Sequence, residues 1–514
     1  MHAPRPLFTC LVLALSFGAL SGCKVTSEDI AYWKGTVKGP GKIVAVVLAD
    51  RYDLSLRTEA GLALIEMERT DEDGVELLQQ AIQRLARSDE DATHAIVDGM
   101  APGLITLMEG EGAEQDENLG PPLQQIRAKD AAYFLISHAT PETRPNLVSA
   151  VVRWYSRDFA NRSLSGNYSV EQVVRSLGPP AARQLVDAMS YEVPQQALVK
   201  IAELIGQIGD DETKRLAGAR LVEIETAMEG QEFIDWLKSK INESLESQGR
   251  EADDGRVTNI ALVNREGFIN TGAIPAMKHL AGVEAVRNRL MVIALAAPSA
   301  EMNATSQEAI NTRRQRALMA LQGNATEAQL SQLLDLALSD PAVQDYAFDR
   351  IGDIRSPDAI PRLWPLVENG DNETNRQRWR AGELVLSLGG ADVVTEFLSK
   401  LPSDSDADYL PQELEGYATQ MSQMTPQPVE VIERQLSARE WYRRVIALNF
   451  IARRGTQADI AKMQRLVSDR TPVVGDGWEG REIETVGKVA EAAIAALRER
   501  LATPAEAAAG EASE

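Results

Sequence analysis

Ala347-Phe348-Asp349-Arg350-Ile351-Gly352-Asp353, followed by Ser356-Pro357-Asp358-Ala359-Ile360-Pro361-Arg362-Leu363, decides the fold. Ala347, Phe348 and Ile351 fall at the three- and four-residue spacing that puts apolar side chains on one helix face. Gly352 predicts the stop of that helix. Ser356-Pro357 predicts the start of the next, because proline's fixed φ and missing N–H suit a first helical turn. The unit is therefore helix, short turn, helix. Neither helix can bury its apolar face alone, so a neighbour must cover it.

The same plan recurs along the chain. Leu204-Ile205-Gly206-Gln207-Ile208-Gly209-Asp210 leads into a helix holding Leu216, and Val174 to Gly178 leads into a helix over 181–189. Leu318 to Gly323, Leu384 to Gly390 and Ile446 to Gly455 repeat the pattern. Ala273-Ile274-Pro275 copies Ala359-Ile360-Pro361. The glycines at 178, 209, 323, 352 and 389 set a period of about 30–40 residues, which suits a two-helix repeat. Strand-like alternation is nearly absent, and Thr258 to Val263 is its best instance.

The Ile-Gly-Asp turn at 351–353, the Ala-Ile-Pro starts at 273–275 and 359–361, and Asp340-Pro341-Ala342-Val343 before the next helix make the chain resemble the HEAT-repeat family. The likeness is to its short bacterial members of the phycobilin-lyase type. It covers 170–225 and 270–470, and more faintly 42–160. It implies an all-α, right-handed α-solenoid of stacked helix pairs, with roughly nine or ten repeats. The expected division is a half over 42–250 and a half over 251–501. Ser247 to Arg256 reads as a loop, 402–428 as an insertion or hinge, and 502–514 as a disordered acidic tail.

The N-terminus carries an address. A short apolar run from Leu7 to Leu20 ends in Leu20-Ser21-Gly22-Cys23. It is too short for a membrane span, and small residues at 21 and 22 suit a peptidase groove. The stretch resembles a bacterial lipoprotein signal: residues 1–22 removed, Cys23 lipidated, 23–41 a linker. Lys24, rather than Asp, after the cysteine implies the outer membrane by that resemblance. Cys10 falls in the removed segment, so no disulfide is expected in the mature chain.

Bulk composition narrows the function. The chain has 514 residues, of which 44% are hydrophobic and 5% aromatic, with a net charge of -23. Such acidity repels phosphate and argues against nucleic acid as a partner. Candidate chemistry is thin. His94, His138 and His279 are far apart in sequence and lack ligand spacing. Gly35 to Lys42 fails as a phosphate loop, because Thr36 and Ile43 stand where glycine and a hydroxyl are required. Asp404, Asp406, Asp408 and Glu415 match calcium-loop positions, but Tyr409 and Pro411 oppose the necessary turn. No catalytic residues, metal or cofactor are assigned.

Two basic-aromatic clusters run against the chain's sign: Arg376, Arg378, Trp379 and Arg380, and Trp441, Arg443 and Arg444. Both begin second helices, which line the concave face in the resembled family. They are the candidate surface for an acidic or extended peptide, should the chain bind one. Arg378→Gln and Arg443→Gln should then spare folding. The competing account is a ladder of arginines paired to turn aspartates between repeats, with the tryptophans in the core. The function expected is a non-enzymatic protein-binding scaffold or adaptor, lipid-anchored to the outer membrane. The alternatives are a lyase or hydrolase built on paired carboxylates, and a permanent subunit of an envelope machine.

Overall fold

The computed structural model describes residues 24–67, 73–110, 120–250, 253–403, 405–481 and 483–502. The expected processing site at Leu20, Ser21, Gly22 and Cys23 lies outside these residues, as do Asp404 and the tail over 503–514. Among the described residues all regular structure is helical, and the sole extended pairing is an isolated bridge between Pro472 and Thr485. Thr258 to Val263 lies within the helix Asp254–Phe268.

The deciding stretch forms a helix at Gln344–Ile354, a 3-10 turn at Pro357–Ala359 and a helix at Ile360–Val367. The stop is not Gly352. The helix runs two residues further and ends where Arg355 adopts a left-handed φ of 56°. Gly352 instead serves packing. A Cβ there would meet the Leu384 side chain at 3.3 Å, so its bareness admits the next repeat's helix. Gly206 does the same inside Gln195–Ile208, where a Cβ would lie 2.5 Å from the His279 carbonyl oxygen.

The chain divides into two compact units, Met1–Ala285 and Val286–Glu514. The boundary therefore falls later than the expected 250/251. In each unit helices stack in two layers. In the first, Leu54–Ile65 packs on Glu90–Glu109, which packs on Arg144–Ser156. Gly39–Leu48 packs on Gly74–Ala86, and that on Leu123–Leu135. In the second, Gln344–Ile354, Asn375–Gly389, Pro411–Gln423, Trp441–Arg454 and Val486–Ala502 follow one another in a single layer. The core lies between the layers. Phe348, Ile351, Val385, Leu386, Met421, Val445 and Leu448 are all buried.

Two expected breaks in the repeat are corrected. The stretch 402–428 is no insertion, because its centre is the helix Pro411–Gln423, which buries Leu414, Tyr417, Ala418 and Met421 in sequence with its neighbours. The loop at Ser247 to Arg256 is shorter than expected. Helix Gln231–Ser247 runs into it from one side and helix Asp254–Phe268 begins on the other.

Candidate functional site

The basic-aromatic residues expected to form a partner surface do not share one. Arg378 is completely buried. Its Nε and Nη2 donate to the two carboxylate oxygens of Glu413, each at 2.9 Å, and Nη2 also donates to the Asp408 carbonyl at 2.7 Å. Its guanidinium lies 4.7 Å from the Tyr409 ring centroid, and the Tyr417 hydroxyl donates to Glu413 at 2.9 Å. Burial pulls the guanidinium's pKa down, but the Glu413 hydrogen bonds and charge more than offset this and hold it above its ordinary value. Burial pushes the Tyr417 hydroxyl well up.

Trp441 and Arg444 are also buried. Trp441 packs edge-on against Trp478, and Tyr409 stacks on Tyr442 at 4.3 Å. Arg444 donates to the Ala438 and Arg439 carbonyls at 2.7 Å each and pairs with Asp469 at 3.1 Å. Arg376 pairs with Asp345 at 2.8 Å and Arg380 pairs with Asp349, each reaching 31 residues back. Those aspartates stand on the preceding helix of the same layer, not in turns. Arg443 and Trp379 are half-buried, and Arg443 stands 3.8 Å from Glu440. Arg376, Arg378, Arg380 and Arg444 thus form a ladder between repeats, and Arg443 does not join it. Similar rungs, from 26 to 32 residues apart, are Arg314–Asp340, Arg362–Asp335, Lys462–Glu433, Lys200–Glu171 and Lys400–Glu368.

The other sequence candidates are also placed. Asp406 accepts from Ser403, Asp408 accepts from Asn372, and Glu415 pairs with Arg481, so three carboxylates at calcium-loop positions have protein partners. Among the described residues no three His, Cys, Asp or Glu side chains are grouped to hold a metal. Lys42 lies over the Trp33 ring at 4.9 Å, and the glycine-rich stretch turns one helix into the next. His94 and His138, distant in sequence, come together: the His94 Nδ1 lies 2.8 Å from the His138 carbonyl oxygen.

The first unit holds a second buried ionic group that the sequence reading missed. Lys129 is fully buried, and its ammonium donates to Asp130 at 2.5 Å and to the Ser165 and Tyr168 carbonyls at 2.8 and 3.0 Å. The Trp154 and Tyr155 rings flank it at 5.3 and 5.1 Å. Burial pushes the ammonium's pKa down against the pull of Asp130. Asp130 also accepts from the Asn167 N–H at 2.8 Å, so the pair fastens the 163–169 connection to the helix Leu123–Leu135.

An open cleft of about 520 Å³ lies on the first unit between the ends of three helices. Phe159, Pro194 and Phe268 give it apolar walls, Gln195 and Gln196 give it amides, and Lys200 stands at its edge. Phe268 belongs to an aromatic group with Tyr191, Phe233 and Trp236, whose ring centroids are 5.3–5.9 Å apart. Directly after Phe268 the helix widens into a π turn at Ile269–Ala273, a feature frequent at functional sites. Thr271 there donates to the Gln195 side-chain oxygen at 2.7 Å. The lining residues are more than 100 positions apart in places, so no local pattern announces the cleft.

No protein-family model matches this chain, and no curated protein is significantly similar to it. Among solved structures it is similar to the karyopherin Kap121p bound to the SUMO protease Ulp1p. The identity is 16% and the TM-score 0.36, covering 89% of this chain and 45% of that one. Importin beta matches at 12% identity and TM-score 0.24, covering 92% of this chain and 67% of that one. An engineered protein matches at 17% identity and TM-score 0.19, covering 89% and 98%. The chain spans less than half the length of that karyopherin. The class of protein rests on the chain's own packing: each unit is an all-α stack of helix pairs.

Proposed function

We propose that this chain is a non-enzymatic, protein-binding scaffold, held at the outer membrane by lipid on Cys23. The observation that carries the binding half is the cleft bounded by Phe159, Pro194 and Phe268. Apolar walls take up an aliphatic or aromatic side chain. The Gln195 and Gln196 amides offer the donor and acceptor that an extended partner backbone requires. Ala160 is exposed on the cleft lining, so Ala160→Arg obstructs it without touching the core.

Co-purification after mild crosslinking tests this reading. The unaltered chain should capture a protein partner, and Ala160→Arg should lose it with an unchanged melting temperature. Equal capture by the two forms excludes the cleft, and substrate turnover by the isolated chain overturns the non-enzymatic reading. The anchor has its own test. Cys23→Ser should abolish fatty-acid labelling, and retained label in the detergent phase would end that part of the proposal.

A further inference from the structure

The first helix pair carries an anomaly of charge. Residues 30–49 contain no aspartate or glutamate and three lysines, Lys34, Lys38 and Lys42, in a chain whose acidic residues number 76 of 514. Helices Ser27–Trp33 and Gly39–Leu48 pack on one another across a short turn as a helical hairpin. One side buries Ile30, Ile43, Val46 and Val47 against the helices that follow. The outward side exposes Ala31, Tyr32, Val37, Lys38, Lys42 and Ala45. Tyr32 is 73% and Val37 72% exposed, among the largest values for bulky apolar side chains among the described residues. Helix stacks ordinarily close with a polar outer face. The outward face of this hairpin, the first among the described residues, instead carries an aromatic, a valine and lysines.

We infer that this hairpin lies along an anionic phospholipid surface, with Tyr32 and Val37 in the interfacial layer and Lys38 and Lys42 among the headgroups. The inference rests on the lipid-anchor reading, and geometry joins the two. Cys23 would precede the hairpin's first turn by a few residues. The tight turn at 34–38 is one helix length away, about 10 Å. Anchored at one end and basic and apolar at the other, the hairpin is held parallel to the bilayer. Amphipathic surfaces of this kind gain from apolar insertion and from attraction of lysines to anionic lipid. Within the hairpin itself the acids, Glu28 and Asp29, sit in the first turn at the anchored end, where Asp29 closes a cap with Thr26, while Lys34 is paired with Glu66 at 2.8 Å. The chain's overall negative charge keeps the remainder off the same surface.

The test uses the full chain in vesicles of phosphatidylcholine with phosphatidylglycerol. A photo-crosslinking residue replaces Tyr32, Val37 or, as a control, Val263, which is 71% exposed on the helix Asp254–Phe268. Lipid adducts at 32 and 37 should exceed those at 263 several-fold. They should fall several-fold when Lys38→Glu and Lys42→Glu are added, or when phosphatidylglycerol is left out. Adducts no greater than at 263, or adducts to a second protein chain instead of lipid, overturn the inference. Fatty-acid incorporation at Cys23 is read in the same samples. Label without lipid adducts sinks the hairpin inference alone, and adducts without label sink the anchor reading alone.

Discussion

Lys129 and Arg378 do the same work in different units with different chemistry. Each is a buried cation that ties a connecting segment to a repeat helix: 163–169 in the first unit, 405–410 in the second. Arg378 meets Glu413 through a planar fork, and its charged form is held more firmly than in water. Lys129 is a point charge shared among one carboxylate and two carbonyls, and burial works against its charge. The comparison teaches that a buried cation's value to the fold depends on how fully its geometry replaces water.

The largest effect follows from the arginine side. Arg378→Gln leaves Glu413 buried without its cation, and breaking such a pair costs about 3–5 kcal/mol. The denaturant midpoint of the second unit should fall sharply, reversing the sequence-based expectation that this substitution spares folding. Arg378→Met combined with Glu413→Leu should recover much of the loss, because no charge is then stranded. Arg376→Gln, on an exposed rung, should move the midpoint by less than about 1 kcal/mol. Equal effects at 376 and 378 would remove the distinction between the core pair and the rungs.

The ladder was partly legible. Arg376, Arg378 and Arg380 are two residues apart, and side chains two apart on a helix point to different sides. They could never have formed one surface. Arg376 and Arg380 are four apart, as are their partners Asp345 and Asp349, which is the signature of two rungs between parallel helices. The repeat itself was legible because glycine and proline punctuation and apolar spacing are local signals. The helix Pro411–Gln423 escaped because it begins with a proline and its inward stripe includes Glu413, whose burial makes sense only once Arg378 is placed opposite. The cleft escaped because Phe159, Pro194 and Phe268 meet only after the chain has stacked.

A smaller effect is expected on the lysine side. Lys129→Met removes a charge that burial already disfavours, and Asp130 keeps the Asn167 N–H. The loss should therefore fall at or below the low end of the range for broken buried pairs, about 3 kcal/mol. It should be seen first as faster proteolysis in 163–169. Lys129→Arg should not restore protection, because a planar fork cannot reach the same three acceptors. A destabilisation as large as that of Arg378→Gln would show that the two cations are held equally well.

The smallest effect separates the units by pH. All four histidines lie in Met1–Ala285, and none lies in Val286–Glu514. Burial pushes the imidazoles of His138 and His279 below their ordinary pKa, with the His94 charge adding to the shift at His138. At His279, Glu203 opposes the shift, and Lys278 and Lys200 reinforce it. A histidine depressed in the fold takes up its proton more readily once unfolded, at about pH 6.5. Its contribution is therefore complete above that pH and is lost as pH falls below it, toward the depressed folded value. In the second unit, burial of Asp459 is outweighed by Lys462 and Thr456, which hold its carboxyl low, so its contribution is lost only below the ordinary carboxylate range. Between pH 7.5 and 5.5, hydrogen exchange should therefore show the first unit loosening while the second holds. His279→Gln should reduce that difference, because one of the two protons is no longer available to drive it. Loosening in the second unit over the same range, or a difference untouched by His279→Gln, would move the cause away from these histidines.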